Sequence, residues 1–159
     1  MTEPILNAAL FCQVGLVVHD FEASVRRWCT VLGCATPEIV ETSGYAISEV
    51  TLRGERCDAM AKLAFLDAGQ VQIELIQPDD QPSVWREHLD SKGEGVHHIA
   101  FKVKDTGATV ARLSGEGMPV AQQGLYSSRD GMYTYLDSTS QLGVMIELLE
   151  NFAGPKPRE

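Results

Sequence analysis

The chain states one pattern twice, and this internal repeat limits its fold more than any other feature. Gln13-Val-Gly-Leu-Val-Val-His-Asp20-Phe-Glu-Ala-Ser-Val25-Arg-Arg27 lies without a gap over His98-Ile-Ala-Phe-Lys-Val-Lys-Asp105-Thr-Gly-Ala-Thr-Val110-Ala-Arg112, at a constant offset of 85. A second echo closes each half: Val71-Gln-Ile-Glu74-Leu-Ile76 against Val144-Met-Ile-Glu147-Leu-Leu149. Each half opens on a polar, metal-capable residue in a strand and closes on a glutamate inside an apolar strand. A pseudo-dyad between the halves would bring Gln13, Glu74, His98 and Glu147 to one place. Neither half is long enough to stand alone, so the two must share a core.

Local signals give the same order of elements in both halves. Phe11 to Val18 reads as a strand, Asp20 as the N-cap of a helix with Glu22 in its first turn, and Gly33 as its stop. Residues 38–53 read as one or two strands around a Gly44 turn, and 59–66 with 70–76 as a hairpin about Asp67-Ala68-Gly69. Pro78 to Pro82 breaks the chain before a short linking helix over 83–92. The second half then gives a strand over 97–103, a helix capped by Asp105 and ending near Gly117, and strands over 120–125, 132–136 and 142–149. The result is a single α+β domain over 1–159. Two βαβββ modules in tandem, 8–78 and 95–150, form mixed sheets curled around a shared metal-binding cup, with a loose tail over 151–159.

Composition narrows the partners. A net charge of −9 argues against nucleic acid or an anionic membrane surface. The first ten residues have no basic start and so do not read as a signal peptide, and no apolar run approaches the about 20 residues that span a bilayer. A cytoplasmic protein is expected. Cys12, Cys29, Cys34 and Cys57 contain no C-x-x-C pair and read as small buried or half-buried hydrophobes.

The chemistry gathers on the repeat. Strand alternation puts Glu74 on a face with Gln72 and Ile76, and Glu147 with Met145 and Leu149. A carboxylate among such neighbours needs a cation, a donor or a proton. Of His97 and His98, alternation lets only one point to the cup, and the match to Gln13 selects His98. His97 then reads as a core or supporting residue, with His19 and His88 on the surface. One imidazole, two carboxylates and one amide oxygen suit a single divalent ion: Zn, Co, Ni, Mn or Fe. Two open neighbouring positions would chelate a substrate through adjacent oxygens.

With these motifs (Q-V-G-L-V-V-H-D, I-E-L-I-Q-P, G-V-H-H-I-A-F and G-V-M-I-E-L-L-E) the chain resembles the vicinal oxygen chelate superfamily of glyoxalases, bleomycin resistance proteins and dioxygenases from Phe11 to Glu150. Its look is nearest to methylmalonyl-CoA epimerase-like proteins. The resemblance implies the ligands Gln13, Glu74, His98 and Glu147, and proton transfer next to a carbonyl in an isomerase, epimerase or lyase. Glu147 and Glu74 are then the catalytic acid–base pair. It also implies a homodimer and a small-molecule substrate, an acyl-CoA or a 2-oxo compound. Family epimerases carry His in place of Gln13, and a further glutamate on the strand before I-E-L. Ala61 to Leu66 offers no carboxylate there, and Glu49 lies earlier. The ligand set resembles that of glyoxalase I, without the segments that enzyme uses for glutathione. Two alternatives share the fold: a non-haem iron dioxygenase, which needs a second imidazole, and a metal-free antibiotic-binding protein.

Specificity should lie in the longer first half, whose ligands are 61 residues apart against 49 in the second, with the excess in 34–60. Tyr45, Arg53, Tyr126 and Arg129 are candidates for the mouth, though each reads first as a surface residue.

Overall fold

A computed structural model describes residues 3–158. Met1, Thr2 and Glu159, which belong to the readings of the amino-terminal segment and of the tail, lie outside the described residues. In the first half, β1 (Phe11–Val17) leads through Asp20 into α1 (Phe21–Leu32). The Asp20 carboxylate accepts from Ala23 N, and Gly33 ends the helix in the left-handed region. β2 (Ile39–Glu41), a helical turn α2 (Tyr45–Ser48), the short β3 (Thr51–Leu52) and β4 (Glu55–Arg56), β5 (Ala61–Asp67) and β6 (Gln72–Pro78) follow. The linking helix α3 (Val84–Lys92) is capped by Ser83, with Pro82 just ahead of the cap. The second half runs β7 (Gly95–Lys102), α4 (Thr106–Gly115), β8 (Val120–Leu125), β9 (Gly131–Leu136), α5 (Thr139–Leu142) and β10 (Met145–Asn151).

The described residues form one ten-stranded sheet in the order β2-β5-β6-β1-β7-β10-β9-β8-β3-β4. Its symmetry is the repeat made solid. β1 pairs parallel with β6, β7 pairs parallel with β10, and β1 joins β7 antiparallel at the centre. The mixed sheets of the two modules thus become one curled surface. α1 covers its outer face through Phe21 and Val25 against Ala64, Leu66 and Leu75, and α4 does the same for the second half through Leu113 against Leu136, Ile146 and Leu148. The linking helix has a larger role than a link. Its Val84, Trp85 and Leu89 pack with Val17, Ile76, Tyr133 and Tyr135, and Val84 N donates to the buried Gln122 side chain.

Several local expectations change. The strand expected over 142–149 starts only at Met145, because Thr139–Leu142 coils into a turn that Gly143 ends with a positive φ. Residues 38–53 hold the two short strands β2 and β3, as expected, but α2 follows Gly44 in place of a simple turn, and Thr51 and Leu52 leave their own half to pair with β8. The excess length of the first half therefore crosses from the β2 edge to the opposite edge of the sheet. Arg129 fastens that crossing. Read from sequence as a surface residue, it is buried, and its guanidinium donates to Ile47 O, to the Glu49 carboxylate at 2.7 Å, and to the carbonyls of Lys156 and Pro157. The same contacts tie down part of the tail expected to be loose, and Lys156 N returns a hydrogen bond to Arg129 O. No helix among the described residues is long and apolar enough to cross a membrane.

Candidate metal centre

The four residues selected by the repeat meet at the centre of the curl. β1 supplies Gln13, β6 Glu74, β7 His98 and β10 Glu147, and all four are buried. His98 Nε2 lies 2.9 Å from Glu147 Oε2 and 3.2 Å from Glu74 Oε2. Gln13 Oε1 lies 3.2 Å from His98 Nε2. The same amide atom is 3.2 Å from Glu74 Oε2 and 3.1 Å from Glu147 Oε2.

These separations suit a small cation. Ligand bonds of about 2.1 Å at right angles put neighbouring donor atoms about 3.0 Å apart. The charges suit it too, because two buried carboxylates with a neutral imidazole and an amide oxygen balance one divalent ion. The Gln13 amide can present either of its groups to the cluster: its oxygen as a further ligand, with Nε2 donating to Gln72 Oε1 at 2.7 Å, or, turned over, its NH₂ to the imidazole nitrogen and both carboxylates. Glu74, His98 and Glu147 are the group among the described residues that could hold a metal ion, and Gln13 completes it.

In the metal-free protein a proton takes the cation's place. Burial pulls the His98 imidazolium down, but Glu147 and Glu74 outweigh that loss and raise its pKa to about 10. Burial also raises Glu74, against the opposing pull of His98.

Two supporting residues, Gly15 and Gln72, escaped the sequence reading, and a third, read from sequence as a core or supporting residue, gains a definite place. Gly15 pairs with His98 across the β1–β7 ladder, and a Cβ built on it would sit 2.0 Å from His98 Cε1. Only a glycine leaves the imidazole its place. Gln72 orients the Gln13 amide; sharing a strand face with Glu74 was the available signal. His97 is the third. The β1–β7 register slips between Gly15 and Leu16, so His97 bulges out of the ladder and the opposite-face rule fails. Its Nδ1 comes within 3.1 Å of His98 Nδ1, where it can accept the proton that leaves His98 Nε2 free as a ligand. His97 is buried and stacks edge-on against Tyr135 and His88, which is half-buried rather than on the surface.

The cluster opens into a cavity of about 520 Å³ whose lining includes Leu63, Phe65, Trp85, Tyr126, Tyr135 and Leu149. Of the four mouth candidates only Tyr126 lines it, which overturns its reading as a surface residue. Tyr45 lies under Arg56, and Arg53 forms an exposed ion pair with Glu87. Glu49 is turned to Arg129 and takes no part in the lining. Desolvation, then the nearby Glu147 charge, raises the Tyr126 and Tyr135 hydroxyls, so both stay protonated.

Comparison with known proteins agrees with this architecture. The methylmalonyl-CoA epimerase of Mycobacterium tuberculosis superposes with a TM-score of 0.59 at 24% identity, over 96% of this chain and 93% of that one. A Streptomyces coelicolor methylmalonyl-CoA epimerase in complex with 2-nitronate-propionyl-CoA gives 0.59 at 25% identity, over 92% and 97%. An uncharacterized protein of Bacillus subtilis (strain 168), YqjC, is 30% identical over 89 residues, 55% of this chain, and the match spans 64% of that relative's length. The family model described as the glyoxalase/bleomycin resistance protein/dioxygenase superfamily matches residues 12–136, and the chain belongs to that superfamily.

Proposed function

We propose that this protein is a divalent-metal-dependent enzyme that moves a proton at the carbon next to a carbonyl, as an isomerase, epimerase or lyase. One observation carries the reading: four buried ligand atoms from Gln13, Glu74, His98 and Glu147 converge at about 3 Å. The fold it shares with methylmalonyl-CoA epimerases supports the same class of chemistry.

A divalent ion bound there would act as a Lewis acid, polarising the substrate carbonyl and making the neighbouring C–H more acidic. Glu147 is the first choice for the base that accepts the proton, with Glu74 as its counterpart from the other half. Burial gives Glu74 a raised proton affinity, which suits a group that must take up a proton and return it. The apolar wall excludes water, so charge developing on the substrate oxygen is stabilised by fixed groups rather than by solvent. His97 keeps the His98 ring in orientation, and Gln72 does so for Gln13.

Elemental analysis of the purified protein, beside the His98→Ala/Glu147→Ala variant, tests the reading. Near-stoichiometric divalent metal in the wild type, lost in the variant, is expected, together with metal-dependent exchange of an α-proton for deuterium. Metal that neither copurifies nor can be restored would end the enzyme reading and leave a small-molecule binding protein.

A further inference from the structure

The walls of the cup describe the part of the ligand that the metal does not hold. Leu63 and Phe65 from β5, Leu125 from β8 and Leu149 from β10 line it, with Trp85 from α3. At the rim stand uncharged hydroxyls, where Ser43 Oγ donates to Ser127 Oγ at 3.0 Å and joins the crossing segment to the β8–β9 turn. Among the described residues lining the cavity there is no Lys or Arg, and its only carboxylates are Glu74 and Glu147.

The cations nearby are committed elsewhere. Arg129 adjoins the rim residue Ser128, but its guanidinium is spent on Glu49 and three carbonyls. Lys62 lies between Leu63 and Ala61 on β5, yet its ammonium pairs with Glu22 of α1 on the other face of the sheet. A net charge of −9 adds a general repulsion toward polyanions. An anionic tail in this cup would therefore be desolvated against apolar side chains with no counter-ion. An aromatic or branched apolar tail would bury its surface against five matching side chains.

We propose that the cup selects a small 2-oxo or 2-hydroxy compound with an uncharged aromatic or branched apolar tail, and rejects thioesters of coenzyme A. The placement of its two oxygens rests on the metal reading above; the selection of its tail rests on the wall alone.

Calorimetric titration of the manganese-loaded protein with three probes tests the selection. Phenylpyruvate and 2-oxoglutarate share one chelating head and differ in their tails, and methylmalonyl-CoA adds the nucleotide. Phenylpyruvate binding at least about tenfold more tightly than either of the others is the expected result. Equal affinities, a preference for the dicarboxylate or the thioester, or no binding of any probe to manganese-loaded protein would overturn the proposal. Phe65→Ala should weaken phenylpyruvate by about tenfold and leave 2-oxoglutarate within about twofold; unchanged phenylpyruvate affinity contradicts the placement of the tail. If manganese does not bind, the metal reading fails separately, and the same ranking is then read on the metal-free protein, with the same outcomes for and against.

Discussion

Gly15→Ala is the smallest change that should dismantle the centre. The new Cβ would fall 2.0 Å from His98 Cε1, 2.4 Å from Nδ1 and 2.5 Å from Nε2. Carbon atoms rest at about 3.5 Å or more, so the ring or the backbone must give by about 1.5 Å. The backbone cannot easily yield, because Gly15 is paired on one side with Glu74 and on the other with His98. The imidazole therefore moves, although it is completely buried and has Tyr135 with its ring centroid 5.1 Å away. Overpacking costs about 1–3 kcal/mol, and parting His98 from two buried carboxylates brings the total to about 3–5 kcal/mol. For a chain of this length that corresponds to a Tm lower by roughly 10 °C. Thermal unfolding with and without manganese, and competition against a chromophoric chelator, measure both effects. Wild type should gain stability on metal addition in proportion to the logarithm of metal concentration, and the variant should gain almost none. A Gly15→Ala protein that melts within about 2 °C of wild type and binds metal equally well would refute the argument from the close approach.

Other outcomes follow from the same contacts. Gln72→Leu removes the acceptor that holds the Gln13 amide; metal affinity should fall by about 10–100-fold while the metal-free Tm barely changes, and unchanged affinity means that Gln72 orients nothing. In the metal-free protein the His98 pKa is raised from 6.5 to about 10, so its stabilisation is complete below pH 6.5 and is lost as pH rises through 10. The raised Glu74 acts in the same direction, since the folded form again binds the extra proton. The metal-free Tm should therefore fall over that interval while metal affinity climbs, because metal displaces the His98 proton; a flat Tm contradicts the proton-for-metal exchange. Arg129→Met strips donors from three carbonyls and the partner from Glu49, which should cost about 2–3 kcal/mol and open the 42–56 crossing to proteolysis. Unaltered cleavage would show that the crossing is held by other contacts.

By itself, the sequence was enough to identify Gln13 with His98 and Glu74 with Glu147 as equivalent positions that meet, because a repeat at constant offset carries its symmetry into space. It was also enough for the caps at Asp20 and Asp105, for the stop at Gly33 and for most strands, since these signals lie within a few residues of the structure they specify. What fell outside it depends on register and on contacts across the chain. The bulge that turns His97 toward His98 exists only once β1 and β7 are paired, and no alternation rule contains it. Gly15 matters because of the ring that pairing brings over it, and Gln72 because β6 lies beside β1. The crossing segment reads from sequence as one or two strands of its own half, yet β3 found its partner in β8, and Arg129 became a buried anchor rather than a surface charge. Local pattern determines which face of an element is apolar. Which element comes to lie against that face is decided by packing the whole chain, and there the cup acquired its walls.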